Sequence, residues 1–435
     1  MKTDFNKKAK GLLTPALVFH TDINAKSAKG VYVHAEGGRR YMDFTSGLAA
    51  ANIGHCHPAV VKAATEQAGR LIHSGCIFRY ESEVALAGRL KRITPAGIEM
   101  FFFSNSGAEA VEGAIKLARF YTGRQGIIAF TGGFHGRTFG ALSLTSSSAR
   151  YRKLYHPLLP SVFHAPYPYC YRCPMGKNRA ACSIDCFEYL RNKILRHLIT
   201  PEEVACVVIE PVLGEGGYFV PPVDYMKKLR DLCAKEGILF IADEVQTGFG
   251  RTGKWFACEH FGINPDIIVM AKGIASGLPL SAIGASRKIM SKWPPGAHGT
   301  TFGGNPVSCA AACATIDTIE KKNILKNAQE VGGYALKRLK AMQARCQAIG
   351  DVRGLGLMLG VEFIKSEKQI LRYAQNDRAP DKALLDRVMK RCLKKGLIIV
   401  ECGVDKNVAR FMPPLITTKA QMDVALGIFE EALFG

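Results

Sequence analysis

Short runs of apolar residues, separated by helical segments, fill the middle of the sequence and constrain its fold. The runs "VACVVI" (204–209), "ILFIA" (238–242) and "IIVM" (267–270) contain no polar residue, as expected for strands buried on both faces. Between the first two lies "DYMKKLRDLCAKEG", whose apolar residues recur at helical spacing, with Asp224 as the predicted N-cap and Gly237 as the predicted stop. This alternation predicts an α/β fold with a mostly parallel central sheet covered by helices.

The two ends of the chain differ from this middle. Residues 1–58 contain short strands, as in "GVYVHAEGGRRYMDF", and residues 320–435 mix long polar helices with strands such as "LGLMLGVEF". We therefore assign 59–319 to a large domain and both ends to a smaller α+β domain. The polar stretch 366–383 has no clear period and is predicted to be a surface insert.

Charge and hydropathy exclude several classes of protein. The net charge is +21, but Lys and Arg are spread along the chain and no basic run alternates with aromatic residues, so we expect a basic solvated surface and no nucleic-acid partner. No apolar run is long enough to span a bilayer. The basic N-terminus is a poor signal peptide because Pro15 interrupts its short apolar part. We expect a cytoplasmic protein without a membrane partner.

Three polar features follow predicted strands, at the edge where α/β sheets bind ligands. The hydroxyl of Ser106 and the backbone N–H groups of Gly107 and Ala108 open a helix and are suited to hold a phosphate. Asp243 ends one strand, where a buried carboxylate needs a cationic or protonated partner. Lys272 ends another, where burial lowers the pKa of a lysine and exposes a nucleophilic amine. Together these features match the phosphate, the ring nitrogen and the aldehyde of pyridoxal 5′-phosphate (PLP).

Each feature alone also has a plain structural explanation. The serine is an ordinary helix cap in this alternative, and Asp243 forms an ion pair with a nearby arginine such as Arg251. Lys272 then extends from the strand end into water. The three features in this order favour the cofactor site.

The sequence resembles the class III aminotransferases, the ornithine/4-aminobutyrate group of PLP enzymes of fold type I, over nearly its whole length. The resemblance is carried by "YMDFTSGLAAANIGHCHPAVVKA", "NSGAEAVEGAIKLAR", "GGFHGRTFGALSLT", "VVIEPVLGEGGY", "LFIADEVQTGFGRTGKWFA", "PDIIVMAKGIASGLPLSA" and "TTFGGNPVSCAAA". It implies a transaminase that moves an amino group by a ping-pong Schiff-base mechanism. It also implies an obligate homodimer with shared active sites, and does not exclude a tetramer.

The same resemblance implies roles for individual residues around the cofactor. Lys272 would bind the cofactor aldehyde and carry the proton, and Asp243 would pair with the ring nitrogen. The other cofactor contacts it implies are Phe134 and Val245 on the two faces of the ring, Gln246 at the ring hydroxyl, Gly107 and Ala108 at the phosphate, and Thr301 of the neighbouring subunit at the phosphate. The structural alternative for Thr301 is a cap of the helix that contains "NPVSCAAACATI".

Substrate residues are expected to be cations, because amino-acid substrates carry carboxylates that arginine grips bidentately. By resemblance, Arg410 would bind the α-carboxylate of glutamate and 2-oxoglutarate, and Arg137 a carboxylate remote from the reacting amine. Glu215 would pair with Arg410 while an ω-amino donor is bound. The alternative for Arg137 is a structural ion pair with Glu210.

These residues imply transfer from an ω-amino acid, with 4-aminobutyrate as the first choice, to 2-oxoglutarate. An acetylornithine- or ornithine-type aminotransferase and an amino-acid racemase of the same family use closely similar residues and remain open. A non-catalytic binding protein that has kept the fold is disfavoured because the catalytic set is intact.

A cysteine-rich insert at about 166–190 lies outside the resemblance. Its four cysteines follow the pattern Cys-x2-Cys-x8-Cys-x3-Cys and are Cys170, Cys173, Cys182 and Cys186. That spacing is compatible with zinc or an iron–sulfur cluster, with disulfides and with free thiols, so the metal assignment stays open.

Overall fold

Three sheets and their covering helices make up residues 2–365 and 379–435, which the computed structural model describes. The strands are β1 (Ala25–Lys29), β2 (Tyr32–Ala35), β3 (Arg40–Asp43), β4 (Met100–Ser104), β5 (Gly126–Phe130), β6 (Val162–Ala165), β7 (Val204–Ile209), β8 (Leu239–Asp243), β9 (Ile267–Met270), β10 (Ser281–Ala285), β11 (Ile349–Leu355), β12 (Met358–Phe363), β13 (Leu397–Ile398), β14 (Val400–Cys402) and β15 (Val408–Phe411).

The helices lie mostly between these strands. They are α1 (Lys2–Leu12), α2 (Ser46–Ala49), α3 (Pro58–Ala68), α4 (Glu81–Ile93), α5 (Gly107–Thr122), α6 (Phe139–Leu144), α7 (Asp185–Tyr189), α8 (Leu195–His197), α9 (Val223–Glu236), α10 (Arg287–Met290), α11 (Pro306–Lys321), α12 (Ile324–Arg345), α13 (Lys382–Lys394) and α14 (Lys419–Phe434). No helix in this part of the chain has the length and apolar character needed to cross a membrane.

The central sheet confirms the predicted α/β class. Within the described ranges it has seven strands in the order β4-β10-β9-β8-β7-β5-β6. Strands β5 to β9 pair in parallel, and β10 runs antiparallel to both of its neighbours, β4 and β9. The carboxyl ends of the parallel strands therefore meet at one edge, which positions the site described below.

The buried strand β7 shows why its sequence has no polar residue. Its side chains divide between two apolar clusters: Val204, Val207 and Ile209 belong to one, and Ala205, Cys206 and Val208 to the other. Both clusters are covered, so both faces of the strand lose contact with water. A polar residue at any of these positions would have to find a hydrogen-bond partner inside a core.

Helix α9 departs from the prediction at its start. It begins at Val223, with Pro222 in the capping position, so the prediction that Asp224 caps it is wrong. Asp224 lies in the first turn, where its carboxylate pairs with Arg179 at 2.7 Å. A carboxylate in the first turn still favours the helix through the macrodipole. The helix ends at Gly237 in the left-handed conformation, as predicted.

Two smaller sheets use the ends of the chain. Strands β1, β2, β3 and β13 form one, in which β13 pairs in parallel with β3 through Leu397 and Met42. Strands β11, β12, β15 and β14 form the other. The domain limits at 58 and 319 stay a prediction, and most of the predicted surface insert at 366–383 lies outside the described residues.

Candidate active site

A cavity of about 390 Å³ opens at the carboxyl ends of the parallel strands. It receives Glu210 from the end of β7, Asp243 from β8 and Lys272 from the end of β9. The other lining residues that matter below are Ser106, Gly107, Ala108, Phe134, His135, Val245 and Gln246. We call this set the cofactor pocket. It unites every predicted cofactor residue except Thr301.

Lys272 follows β9 after one residue, Ala271, and faces this cavity. Its backbone has φ of 41°, in the left-handed region, and it begins a short 3₁₀ turn, Lys272–Ala275. Burial lowers the pKa of the Lys272 ammonium, while the carboxylates of Asp243 and Glu210 act in the opposite direction. The lowered pKa increases the fraction of neutral amine, which is the nucleophilic form.

Asp243 is buried and is held by a histidine that the sequence did not single out. His135 Nδ1 lies 2.7 Å from Asp243 Oδ2, and the backbone N–H of Val245 donates to Asp243 Oδ1 at 3.1 Å. Burial opposes the imidazolium, but the hydrogen bond and the charge of Asp243 outweigh it and raise the pKa of His135. The pairing with Arg251 that the sequence left open is wrong, since Arg251 donates to Asn52 and to backbone carbonyls.

The start of α5 is suited to an anionic group. Ser106 caps it by accepting from the Glu109 N–H at 3.3 Å, and the Glu109 carboxylate accepts from the Ser106 N–H at 3.1 Å. The N–H groups of Gly107 and Ala108 have no hydrogen-bond partner within the described residues. A Cβ at Gly107 would lie 2.9 Å from Val245 Cγ1, so the close contact between this turn and Val245 requires glycine.

These features together fit PLP. Free N–H groups at a helix start suit its phosphate, and the buried acid suits a protonated ring nitrogen. Gln246 adds a buried Oε1 atom without a hydrogen-bond partner among the described residues. A buried polar atom left unpaired in a cavity is expected to meet a ligand or water there.

Glu210 is a second site residue that the sequence did not reveal. It lies buried in the cavity, where its carboxylate accepts from the N–H of Phe134 at 2.8 Å and of Gly214 at 2.9 Å. Burial raises its pKa to about 7. The signal that found Asp243, an acid directly after a buried strand, also marks Glu210. The predicted alternative of an ion pair between Glu210 and Arg137 is wrong, because among the described residues Arg137 forms no ion pair.

Four side chains form what we call the substrate mouth. Arg410 is buried on β15 and its Nη1 pairs with Glu215 Oε2 at 2.8 Å. Tyr151, which the sequence also did not reveal, donates from its hydroxyl to Glu215 Oε1 at 3.4 Å. The exposed guanidinium of Arg137 lies over the Tyr151 ring, 4.1 Å from its centre. Burial opposes the charge of Arg410, but Glu215 outweighs it and raises the pKa of Arg410.

Two further predictions concern residues outside the cavity. Thr301 is exposed and does not line the cavity within its own chain. It does not cap α11 either, since Asn305 Oδ1 accepts from the Ser308 N–H at that helix start. The four cysteines of the insert are free thiols, and no group of three or more His, Cys, Asp or Glu side chains in the described ranges could hold a metal ion.

Comparison with known proteins places this geometry in a family. The sequence profile described as Aminotransferase class-III matches residues 16–433. This chain belongs to the class III aminotransferase family. A class III aminotransferase uses PLP, and the pocket that contains Lys272 and Asp243 fits that cofactor.

Similar proteins include enzymes with different reactions. The leucine/methionine racemase of Thermococcus litoralis is 42% identical over 96% of this chain and 91% of that protein. The probable 4-aminobutyrate aminotransferase of Bacillus subtilis is 38% identical over 94% of this chain and 92% of that protein. A solved structure of the ornithine aminotransferase of Toxoplasma gondii with partly occupied PLP has a TM-score of 0.86, at 26% identity over 100% and 94% of the two chains. The class III aminotransferase described here thus has fold type I.

Proposed function

We propose that this class III aminotransferase transfers an amino group from an ω-amino acid, with 4-aminobutyrate as the first choice, to 2-oxoglutarate. The observation that carries the proposal is the ion pair between Arg410 and Glu215, whose charges act on the amine of Lys272 in the cofactor pocket. With Arg137 on the same side, the mouth offers one free and one neutralised arginine. An ω-amino acid has one carboxylate, and 2-oxoglutarate has two.

The charge balance of the mouth explains how two kinds of substrate would use one site. An ω-amino donor places its single carboxylate on Arg137, while Glu215 keeps Arg410 neutralised and so avoids an unpaired buried cation. The α-carboxylate of 2-oxoglutarate needs Arg410, and binding it displaces Glu215 toward Tyr151, whose hydroxyl is already in contact. The aromatic ring of Tyr151 meanwhile holds Arg137 in place.

The cofactor pocket supplies the chemistry common to both substrates. When bound, PLP withdraws electrons from the carbon that carries the amino group and makes its hydrogen acidic. The amine of Lys272 takes that proton and returns it, helped by a lowered pKa. Asp243, oriented by His135, would hold a proton on the ring nitrogen, and the N–H groups of Gly107 and Ala108 would bind the phosphate. Phe134 and Val245 would enclose the ring, and Gln246 Oε1 would accept from the ring hydroxyl.

The shared active site is part of this proposal. Thr301 is exposed and outside the cavity of its own chain, as required of a residue that reaches the phosphate of a neighbouring subunit. We therefore propose a homodimer in which each subunit completes the other's phosphate site.

Racemisation of an amino acid is the second candidate. The observation in its favour is the 42% identity to the leucine/methionine racemase. In a racemase a proton would return to the carbon that lost it, on the opposite face, instead of to the cofactor, and no 2-oxo acid would be consumed.

A panel of amino donors tests the proposal. The purified protein is incubated with PLP, 2-oxoglutarate and one donor at a time (4-aminobutyrate, 5-aminovalerate, ornithine, acetylornithine or leucine), and glutamate is measured. The proposal predicts the highest kcat/KM with an ω-amino donor. In parallel, L-leucine, L-methionine, L-alanine and L-serine are each incubated without a 2-oxo acid. Loss of optical activity there, without glutamate formation in the first assay, would establish the racemase instead.

A further inference from the structure

The cysteine-rich insert, which has no counterpart in the family resemblance, is anchored to both segments that hold Glu215. Near its start, Tyr169 contacts the chain just after Glu215 and Arg172 contacts the β14–β15 turn. Neither Tyr169 nor Arg172 lines the cofactor pocket. The insert therefore acts on the substrate mouth from outside the cavity, through the segments that hold Glu215 and Arg410.

The first anchor is an aromatic and cationic stack. The ring of Tyr169 lies flat on Phe219, with 3.6 Å between ring centres and 16° between planes. The guanidinium of Arg353 lies 4.4 Å from the centre of the Phe219 ring. Its Nε and Nη2 atoms donate to the carbonyl of Gly217 at 2.9 and 2.7 Å. Gly217 is two residues after Glu215, so this stack fixes the backbone that carries the carboxylate.

Buried charges make this arrangement hard to replace. Arg353 Nη1 donates to both Asp351 and Glu362 at 2.7 Å, and the Tyr169 hydroxyl donates to Glu362. The side chain of Glu362 is 1% exposed. A buried charge that loses a partner costs far more than a surface pair contributes, so the network favours one position of the Tyr169 ring.

The second anchor runs through the β14–β15 turn. Arg172 Nη1 lies 3.0 Å from Asp405 Oδ2 and 3.8 Å from Glu362 Oε1. Asp405 lies in the turn in which the N–H of Gly403 donates to the carbonyl of Glu215 at 2.9 Å. Strand β15 leaves this turn and carries Arg410. Arg172 thus ties the insert to the element that holds both members of the ion pair.

We propose that Tyr169 and Arg172 are positioning residues that set the balance between the two substrate classes by holding Glu215 against Arg410. This proposal rests on the proposed role of Glu215 as the residue that neutralises Arg410 when no α-carboxylate is present. Loosening either anchor lowers the occupancy of the ion pair. An ω-amino donor then meets an unneutralised Arg410 and binds less well, whereas 2-oxoglutarate no longer competes with Glu215 and binds more tightly.

The test compares Arg172→Ala with the unaltered holoenzyme. We expect the KM for the donor, 4-aminobutyrate, to rise and the KM for the acceptor, 2-oxoglutarate, to fall. Each shift should be roughly threefold to tenfold, the size expected for residues that modulate coupling without touching ligand. The kcat should stay within about twofold, because Lys272 and Asp243 are untouched. Arg172→Lys keeps the charge and should restore part of both shifts. Equal shifts of both KM values, or none, would overturn the proposal.

Arg230→Ala is the matched control. Arg230 is also a half-buried arginine in an ion pair, with Asp266 at 3.0 Å, but it lies on α9. The variant Arg230→Ala should lower the free energy of unfolding without changing either KM.

If Arg172→Ala does not fold, Tyr169→Phe decides the question, since it keeps the stack of Tyr169 on Phe219 and removes only the hydrogen bond from the hydroxyl to Glu362. Opposite shifts of the two KM values, of about twofold, support the proposal, and unchanged values reject it.

The two proposals fail in different ways. If the unaltered enzyme accepts no ω-amino donor, the proposed function is wrong. The positioning role is then judged from the dissociation constant of 2-oxoglutarate alone. This constant is measured by adding 2-oxoglutarate and recording the change in cofactor absorbance. Arg172→Ala should lower that constant, and an unchanged value would reject the role of Arg172 whatever the natural donor is.

Discussion

The cofactor pocket and the substrate mouth meet where the ring of Phe134 contacts that of Tyr151, but they are built in different ways. The pocket takes Glu210, Asp243 and Lys272 from the ends of three adjacent parallel strands, so the sheet itself sets their spacing. The mouth joins Glu215, in the loop after β7, to Arg410 on β15, and the two are 195 residues apart in sequence. A sheet edge tolerates little variation, whereas a mouth assembled from a loop and a strand of another sheet can change substrate while the chemistry stays the same.

The reactions of similar proteins agree with this difference between the cofactor pocket and the substrate mouth. Proteins about 40% identical to it include both a racemase and an aminotransferase. The two reactions need the same acidic carbon–hydrogen bond and the same lysine, and they differ in where the proton returns and in which carboxylates are held. The pocket should therefore respond to mutation in kcat for every substrate, and the mouth in KM for particular ones.

Lys272→Ala should have the largest effect and tests the pocket. Loss of the amine that takes and returns the proton should lower kcat by at least about 10³-fold with any donor. Borohydride reduction should fix cofactor to Lys272 in the unaltered enzyme, and mass spectrometry of the peptides would locate it. Lys292→Ala, at an exposed position, is the control. Full activity of Lys272→Ala would contradict the assignment of the pocket.

Glu210→Gln tests the electrostatics of the pocket in the cofactor-free protein. Burial raises the pKa of Glu210 to about 7 from its ordinary value of 4.5, so the folded state binds this proton more tightly than the unfolded chain. The free energy of unfolding should then fall by up to about 3 kcal/mol as the pH rises from 4.5 to above 7. Glutamine does not titrate, so in the variant the free energy of unfolding should fall less between pH 4.5 and pH 7.

Urea denaturation at pH 5 and pH 8 measures this difference. The pKa of His135 is also raised and makes stability fall with rising pH in the same direction. Because the charge of Glu210 contributes to that rise, Glu210→Gln should also lose part of the His135 contribution, which adds to the difference between the two proteins. If Glu210→Gln kept the full slope of the unaltered protein, the buried carboxyl would not be the group that titrates.

The variants Arg410→Gln and Arg137→Gln separate the roles of the two arginines of the substrate mouth. Loss of the charged contact at Arg410 should raise the KM for the acceptor, 2-oxoglutarate, by roughly 10- to 100-fold, with a small effect on binding of the donor. Arg137→Gln should raise the KM for both substrates, because each places a remote carboxylate there. Steady-state kinetics with each substrate varied in turn checks this pattern. A fall in kcat without a change in KM for either variant would move that arginine from the mouth to the pocket.

Gly107→Ala should have the smallest effect. Its Cβ would meet Val245 Cγ1 at 2.9 Å and Cγ2 at 3.1 Å, so the turn that presents the two free N–H groups must shift by a few tenths of an ångström. We expect PLP affinity to fall by about tenfold, measured by fluorescence titration of the cofactor-free protein, with kcat at saturating PLP nearly unchanged. Gly333→Ala, on α12 with no neighbour within 4 Å of the added atom, is the control.

Local patterns in the sequence predicted the pocket better than the mouth. The ends of β8 and β9 could be found from apolar runs alone, and with them Asp243 and Lys272. Glu210 carries the same signal but was considered only as a partner for an arginine. His135 gave no signal of its own, because its role depends on a contact with Asp243, 108 residues away.

The mouth was predicted only through resemblance, and incompletely. No spacing rule connects Glu215 with Arg410, since the contact exists only after β15 has joined β12 and β14. Tyr151 was missed for the same reason: it matters through contacts with two side chains from different segments. The predicted N-cap at Asp224 was a smaller, local error: the helix begins one residue earlier, at Val223, and Pro222 occupies the capping position.

The pairing of β13 with β3 has a consequence for how this protein is made. Strand β3 leaves the ribosome early, but its partner follows about 350 residues later, so this sheet stays one strand short during most of synthesis. The large central sheet has all its strands well before that point. We therefore expect the nascent chain to bury its cofactor-binding core first and to keep an unpaired strand edge near its N-terminus until the end, the segment on which a chaperone would act.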